Sequence, residues 1–191
     1  MSGGEPRRAS VQYPGGLSAR YRWGGSNQAA ATFALAEAGG PLVDHGRLVS
    51  DDPDRLCRAE LRVEGPAGRW TARFASLIYD EPQGLMWDTP ALLVVKYGFH
   101  AYALAGRSGE LRWSFRSGSP LLCVLGSSRL PHVLMQGEVE TTALREDGEV
   151  AWRAAHGDVV TEAELVGGRL VLRSYGGAVL ALDPLTGQAA G

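Results

Sequence analysis

Residues 100–115 read HAYALAGRSGELRWSF, and residues 140–155 read ETTALREDGEVAWRAA. Both stretches contain an Ala-Leu pair, a turn that ends in Gly, and a Trp four residues after that Gly. A third stretch, AVLALDPLTGQAAG at residues 178–191, repeats the pair and the turn but has Gly191 where the Trp would stand. Successive Ala-Leu pairs are 40 and 38 residues apart. A fixed period near 40 residues with short strands is typical of the blades of a β-propeller.

The internal pattern of each repeat predicts antiparallel strands. ELRWSF and EVAWRA alternate apolar and polar residues with the period of two that a half-buried strand requires. The turn needs Gly because a tight hairpin places one residue at positive φ. A buried aromatic side chain of about 200 Å² contributes several kcal/mol at about 25 cal/mol per Å². We therefore expect the repeated Trp to hold neighbouring blades together.

The tryptophans extend the period toward the N-terminus. Trp23, Trp70, Trp113 and Trp152 are separated by 47, 43 and 39 residues. Residues 16–23, GLSARYRW, form a Trp strand without a preceding Ala-Leu pair, whereas the last repeat has the pair and no Trp strand. Because an unpaired sheet edge is a liability, we expect residues 16–23 to complete the last blade.

The sequence thus predicts a single all-β domain over residues 1–191, with residues 1–9 disordered. The expected fold is a small β-propeller of four blades, each of about 40 residues, closed by an N-terminal strand. The alternative is a half-ring that dimerises. The predicted blades are 24–73, 74–116, 117–155, and 156–187 together with 10–23.

At these residues the chain resembles the pyrroloquinoline-quinone-like (quinoprotein-type) propeller repeat. That repeat has Ala-Leu-Asp, a short turn with Thr-Gly, and Trp four residues after the Gly. ALDPLTG at residues 181–187 follows its first half closely, and the resemblance covers residues 91–191, with Ala105 and Arg145 replacing the Asp. The family includes quinone-dependent dehydrogenases and plain binding scaffolds. The dehydrogenases' adjacent Cys pair and calcium ligands are missing, so the resemblance implies the fold and no cofactor.

Two segments depart from the repeat. Residues 26–40, SNQAAATFALAEAGG, form either a helix capped by Ser26 or a strand, and the repeat favours the strand. Residues 79–90, YDEPQGLMWDTP, are predicted to be an acidic loop that interrupts the repeating pattern of strands. Its adjacent Met86 and Trp87, with Asp88 at the rim, are the predicted contact surface for a partner. The alternative is that Trp87 folds back onto the core.

Composition excludes several function classes. The net charge is −2, so neither nucleic acid nor a membrane surface is expected as a partner. The four histidines lack metal-ligand spacing, and no catalytic motif is present, so no metal site or catalytic residue is predicted. Cys57 and Cys123 are expected to be free thiols. MSGGEPRRAS at the start lacks the apolar segment of a secretory signal, which favours a cytoplasmic location.

The sequence favours a non-catalytic protein-interaction or scaffold module with WD40-like architecture, as a monomer or a homodimer, whose protein partner is unidentified. The alternative is a ligand-binding protein or an enzyme that acts on a small molecule or a carbohydrate at the propeller channel. In that case His100 is expected to line the channel.

Overall fold

The computed structural model of the chain describes residues 6–26 and 41–190. These residues form sixteen strands in four sheets. The strands are β1 Arg7–Tyr13, β2 Leu17–Gly24, β3 Leu42–Asp44, β4 Cys57–Gly65, β5 Gly68–Ser76, β6 Gln83–Trp87, β7 Leu92–Tyr97, β8 His100–Ala105, β9 Leu111–Arg116, β10 Leu121–Leu125, β11 Val133–Gly137, β12 Glu140–Leu144, β13 Val150–Ala155, β14 Val160–Val166, β15 Arg169–Ser174 and β16 Val179–Leu182.

The sheets follow one another along the chain. Sheet 1 has the order β1-β2-β4-β5-β3, in which β3 runs parallel to β5 and every other pair is antiparallel. Sheet 2 is β6-β7-β8-β9, sheet 3 is β10-β11-β12-β13, and sheet 4 is β14-β15-β16. Strand β10 contacts both β6 and β14, so the first strands of successive sheets lie closest to a common axis. This arrangement confirms the predicted all-β propeller fold.

Three apolar cores join the sheets in order. Sheets 1 and 2 share one cluster of buried side chains, sheets 2 and 3 a second, and sheets 3 and 4 a third. Within the described residues, no such cluster joins sheet 4 to sheet 1. The described part of the chain is therefore an arc of four sheets.

The predicted closure of the propeller by residues 16–23 is wrong. Strand β2 pairs with β1 on one side and with β4 on the other. Strand β16 pairs with β15, and in the described residues its other edge has only the bridge between Leu182 and Ala189. The hairpin β1–β2 turns at Pro14–Gly16, where Gly15 and Gly16 have φ of 79° and 75°. A hairpin closes a much shorter loop than a ring does, and so costs less chain entropy.

This pairing also corrects the blade boundaries. The first sheet begins at Arg7, not at residue 24, and residues 25–56 separate β2 from β4. Strand β1 starts at Arg7, within the segment 1–9 that was expected to be disordered. The choice between helix and strand for residues 26–40 falls almost entirely outside the described residues. The predicted loop at 79–90 contains strand β6.

Candidate functional site

The tryptophans join neighbouring sheets as predicted at three positions. The indole N–H of Trp70 in sheet 1 donates to the carbonyl of Gly106 in sheet 2, at 3.0 Å. Trp113 of sheet 2 donates in the same way to Glu146 of sheet 3, at 2.9 Å. Trp152 of sheet 3 donates to Pro184 of sheet 4, at 3.2 Å. Each bond connects the strand that carries the Trp to a turn in the following sheet, and so fixes the spacing between the two sheets.

Glycine in each of these turns lies against the indole ring. Gly109, Gly148 and Gly187 have φ of 73°, 85° and 72°. A Cβ atom at Gly109 would lie 2.5 Å from Trp70, and one at Gly148 would lie 2.8 Å from Trp113. Gly is therefore required in these turns for two reasons: the backbone has a positive φ, and the indole ring leaves no room for a Cβ atom. Together the turn and the ring form the joint between two sheets.

Trp23 does not belong to this series. It lies in β2, the second strand of sheet 1, and pairs with Arg7 and Ala59. Its side chain is 3% exposed within the first core. Its indole N–H has no hydrogen-bond partner among the described residues. Its spacing from Trp70 therefore does not reflect a repeated position.

Met86 and Trp87 face opposite sides of sheet 2, because side chains alternate along strand β6. Trp87 is 7% exposed and belongs to the core between sheets 2 and 3. Met86 is half-buried against the core between sheets 1 and 2. Asp88, just beyond the strand, is exposed. The structure thus separates the two side chains that were predicted to act together, and Trp87 is not presented as an exposed anchor.

His100 lies at the opposite end of sheet 2. It begins β8, the third strand of its sheet, and does not lie on an innermost strand. Its side chain is 7% exposed, and its ring stacks on Tyr102 with centroids 6.1 Å apart. Burial, with a smaller contribution from Arg116, lowers the pKa of His100. A binding role for His100, Met86, Trp87 or Asp88 stays a prediction, and the four do not form one site.

A cleft of about 360 Å³ opens between sheets 1 and 2 at the end where Met86 lies. Gly106 lies close to two other lining residues, since a Cβ atom there would lie 3.2 Å from both the Met86 Cε and the Ala91 carbonyl oxygen. That same Ala91 oxygen accepts a hydrogen bond from the Gly106 N–H at 3.0 Å. The lining residues are mainly apolar: Pro14, Gly15, Leu17, Gly65, Pro66, Ala67, Gly68, Met86, Ala91, Gly106 and Arg107.

The backbone at Ala91 is strained. Its φ is 53°, and it is the only residue other than Gly with positive φ in the described ranges 6–26 and 41–190. Such a conformation costs an alanine about 1–2 kcal/mol. Strained residues of this kind cluster at functional sites. Ala91 is distinguished only by its backbone conformation, and no sequence motif marks it. The cleft could therefore not be predicted from the sequence.

The chemistry of this cleft suits an apolar side chain, with the exposed Arg107 at its rim. Among the described residues, no group of three or more His, Cys, Asp or Glu side chains is placed to hold a metal ion. In the same residues, no helix has the length and hydropathy of a membrane span. The lining of the cleft is thus mainly an apolar contact surface.

Comparison with known proteins identifies the structural class of the chain. It is a propeller-type protein with pyrroloquinoline-quinone-like repeats in its second half. Residues 98–190 match the family described as outer membrane protein assembly factor BamB, which confirms the predicted resemblance for that segment. BamB from Moraxella catarrhalis is similar at 21% identity, covering 56% of this chain and 34% of that chain, with a TM-score of 0.46. No curated protein matches the chain.

Other propeller-like structures share the architecture alone. The computationally designed Ika8 protein is 12% identical over 71% of this chain and 45% of that chain, with a TM-score of 0.51. The WD40 domain of Pan2 from Neurospora crassa is 20% identical, covering 71% of this chain and 45% of that chain, with a TM-score of 0.49. The chain thus spans less than half the length of BamB, Ika8 and the Pan2 domain.

Proposed function

We propose that this protein is a non-catalytic interaction module that binds a protein partner through the cleft between sheets 1 and 2. The observation that carries the proposal is the apolar cleft with a strained alanine at its wall. Its walls are mostly turns of two sheets that share an apolar core, and a few side chains anchored in such pockets carry most of the binding energy of protein interfaces. An apolar side chain of the partner would enter between Met86 and the turn at Pro66–Gly68.

The test compares partner capture by two alanine variants. Ala67 lies in an exposed turn at the cleft, and Ala178 is an exposed residue beside a turn of sheet 4. Ala67→Glu places a charge in the apolar cleft, whereas Ala178→Glu adds the same charge elsewhere. With each protein as bait in its own cell extract, we expect Ala67→Glu to lose a partner that Ala178→Glu and the unmodified protein retain. Identical partner sets for all three proteins would refute the cleft as the contact surface.

A second candidate function is ligand binding beside the innermost strands. A cavity of about 430 Å³ lies between β1 and β6, and its lining includes Tyr13, Tyr21 and Lys96. The Tyr13 and Tyr21 hydroxyls are hydrogen-bonded at 2.9 Å, and Lys96 donates to both carboxylate oxygens of Asp80. These polar groups favour a sugar or another small polar molecule. A thermal-shift screen tests this candidate, because a ligand that binds here raises Tm with its concentration.

The oligomeric state and the location are also predictions. Light scattering distinguishes a monomer from the homodimer of the half-ring alternative. Cell fractionation with an antibody against the chain tests the cytoplasmic location. Neither measurement depends on the identity of the partner.

A further inference from the structure

Arginine is concentrated on one face of sheet 1. Alternate residues of β1, β2, β4 and β5 face the core shared with sheet 2, so the intervening residues lie on the opposite face. That face, here called the arginine face, has seven arginines and two glutamates although the whole chain has a net charge of −2. Basic residues are therefore concentrated on this face of sheet 1. The charged residues are Arg8, Arg20, Arg22, Arg58, Glu60, Arg62, Glu64, Arg69 and Arg73.

The register places arginines directly opposite each other. Arg8 pairs with Arg22 across β1 and β2, and Arg20 pairs with Arg62 across β2 and β4. Like charges in directly opposed positions destabilise a sheet. Arg8 and Arg20 are both exposed, and neither forms an ion pair with a described residue. Arg22 also lies directly opposite Glu60, and Arg62 is bonded to Glu60, so the two exposed residues Arg8 and Arg20 are the arginines of these pairs that are left to bind an anion from outside the chain.

The same face shows how it holds a carboxylate. Glu60 is 1% exposed, and its two carboxylate oxygens accept hydrogen bonds from Arg62 at 2.8 Å and from Arg73 at 3.1 Å. Guanidinium groups bind carboxylates well because their planar donors match the two oxygens. Arg20 on β2 and Arg8 on β1 present the same group to solvent, one and two strands away from Glu60. They are placed to bind carboxylates from outside the chain.

We infer that the arginine face binds an acidic segment of a protein partner, with Arg8 and Arg20 as the residues that contact its carboxylates. The charge of the face and the carboxylate geometry at Glu60 determine this choice. Arg58 on this face is buried and donates to Asp44, whereas Arg8 and Arg20 are exposed and no other described sheet packs over them. This surface is distinct from the apolar cleft, so failure of either proposal leaves the other intact.

The test measures binding of a fluorescein-labelled octamer of glutamate by fluorescence anisotropy. The full chain is compared with Arg8→Ser/Arg20→Ser and with the control Arg129→Ser/Arg153→Ser, which removes one exposed arginine from the loop between β10 and β11 and one from β13. We expect binding at low salt that weakens at high salt. The Arg8/Arg20 variant should bind about tenfold more weakly, and the control variant should bind like the full chain.

A thermal melt separates binding from folding. Because neither Arg8 nor Arg20 makes an ion pair with a described residue, Arg8→Ser/Arg20→Ser should keep its Tm while binding weakens. Absence of octamer binding at low salt, or equal loss in both variants, would overturn the inference. Tighter binding of an eight-nucleotide thymidine oligomer, dependent on Arg8 and Arg20, would also overturn it in favour of a nucleic acid.

Discussion

At the scale of a single residue, the joint between sheets 2 and 3 depends on the absence of a side chain at Gly148. Its φ is 85°, and an added Cβ would lie 2.8 Å from the Cγ of Trp113. Gly177 has nearly the same φ, 84°, but a Cβ added there would have no other atom within 4 Å. The two glycines therefore share the backbone requirement and differ in the contact with an indole ring.

We expect Gly148→Ala to destabilise the protein more than Gly177→Ala. Both substitutions incur about 1–2 kcal/mol for a side chain at positive φ. Only Gly148→Ala also displaces Trp113, which adds about 1–3 kcal/mol of overpacking. Urea unfolding of both variants measures the difference directly. Equal losses of unfolding free energy would show that the Trp113 ring does not restrict the side chain at residue 148.

The thiol of Cys123 provides a second prediction at this scale. Burial raises the pKa of Cys123 to about 11. Because the thiolate is the reactive form, alkylation at pH 8 should proceed with about one thousandth of the thiol ionised. In a Cys57→Ser variant, the rate of reaction with iodoacetamide should keep rising with pH above 9. A rate that levels off below pH 9 would contradict the effect of burial.

At the scale of the strand, each sheet presents a row of side chains toward the next sheet. In sheet 2 the row is Leu85, Val94, Ala103 and Trp113, and in sheet 3 it is Leu125, Leu134, Ala143 and Trp152. In sheet 4 the row is Glu164, Val171 and Ala181. It begins with an exposed charge, and no described sheet covers it. A polar outer face is what a terminal repeat requires.

Equivalent valines in two rows test this difference. Val94 is 0% exposed in the core of sheets 2 and 3, whereas Val171 is half-buried on the uncovered face of sheet 4. We expect Val94→Ala to lower the unfolding free energy by about 2–3 kcal/mol, from lost burial and the cavity left behind. Val171→Ala should lower it by less than about 1 kcal/mol. Similar losses would mean that the face of sheet 4 is covered.

The repeat was predictable at this scale because the Ala-Leu pair, the Gly and the Trp all serve the same joint. The position of β2 in sheet 1 could not be predicted, because residues 25–56 separate β2 from its partner β4. Trp23 of β2 also lies at nearly the same spacing as the repeated tryptophans, although it does not occupy their position. Strand β6 was hidden by the flanking prolines, Pro82 and Pro90, which are typical of a loop. Neither the cleft at Ala91 nor the arginine face could be predicted, since a strained φ and a cross-strand register exist only in the fold.

At the scale of the whole molecule, the described chain is an arc of four sheets held by three tryptophan joints and three apolar cores. Its first face is rich in arginine, and its last face alternates charged residues with valine. Charged residues on these two outer faces oppose aggregation through them.

Disulfide trapping tests the pairing of the N-terminal strand most directly. In a Cys57→Ser/Cys123→Ser background, one variant carries Ser18→Cys with Glu64→Cys, which are Cα partners across β2 and β4. Opposed residues of an antiparallel pair lie within disulfide range. A second variant carries Ser18→Cys with Val179→Cys, which would meet only in a ring closed at β16. An intrachain disulfide in the first variant and none in the second is the expected result; the reverse would contradict the arc.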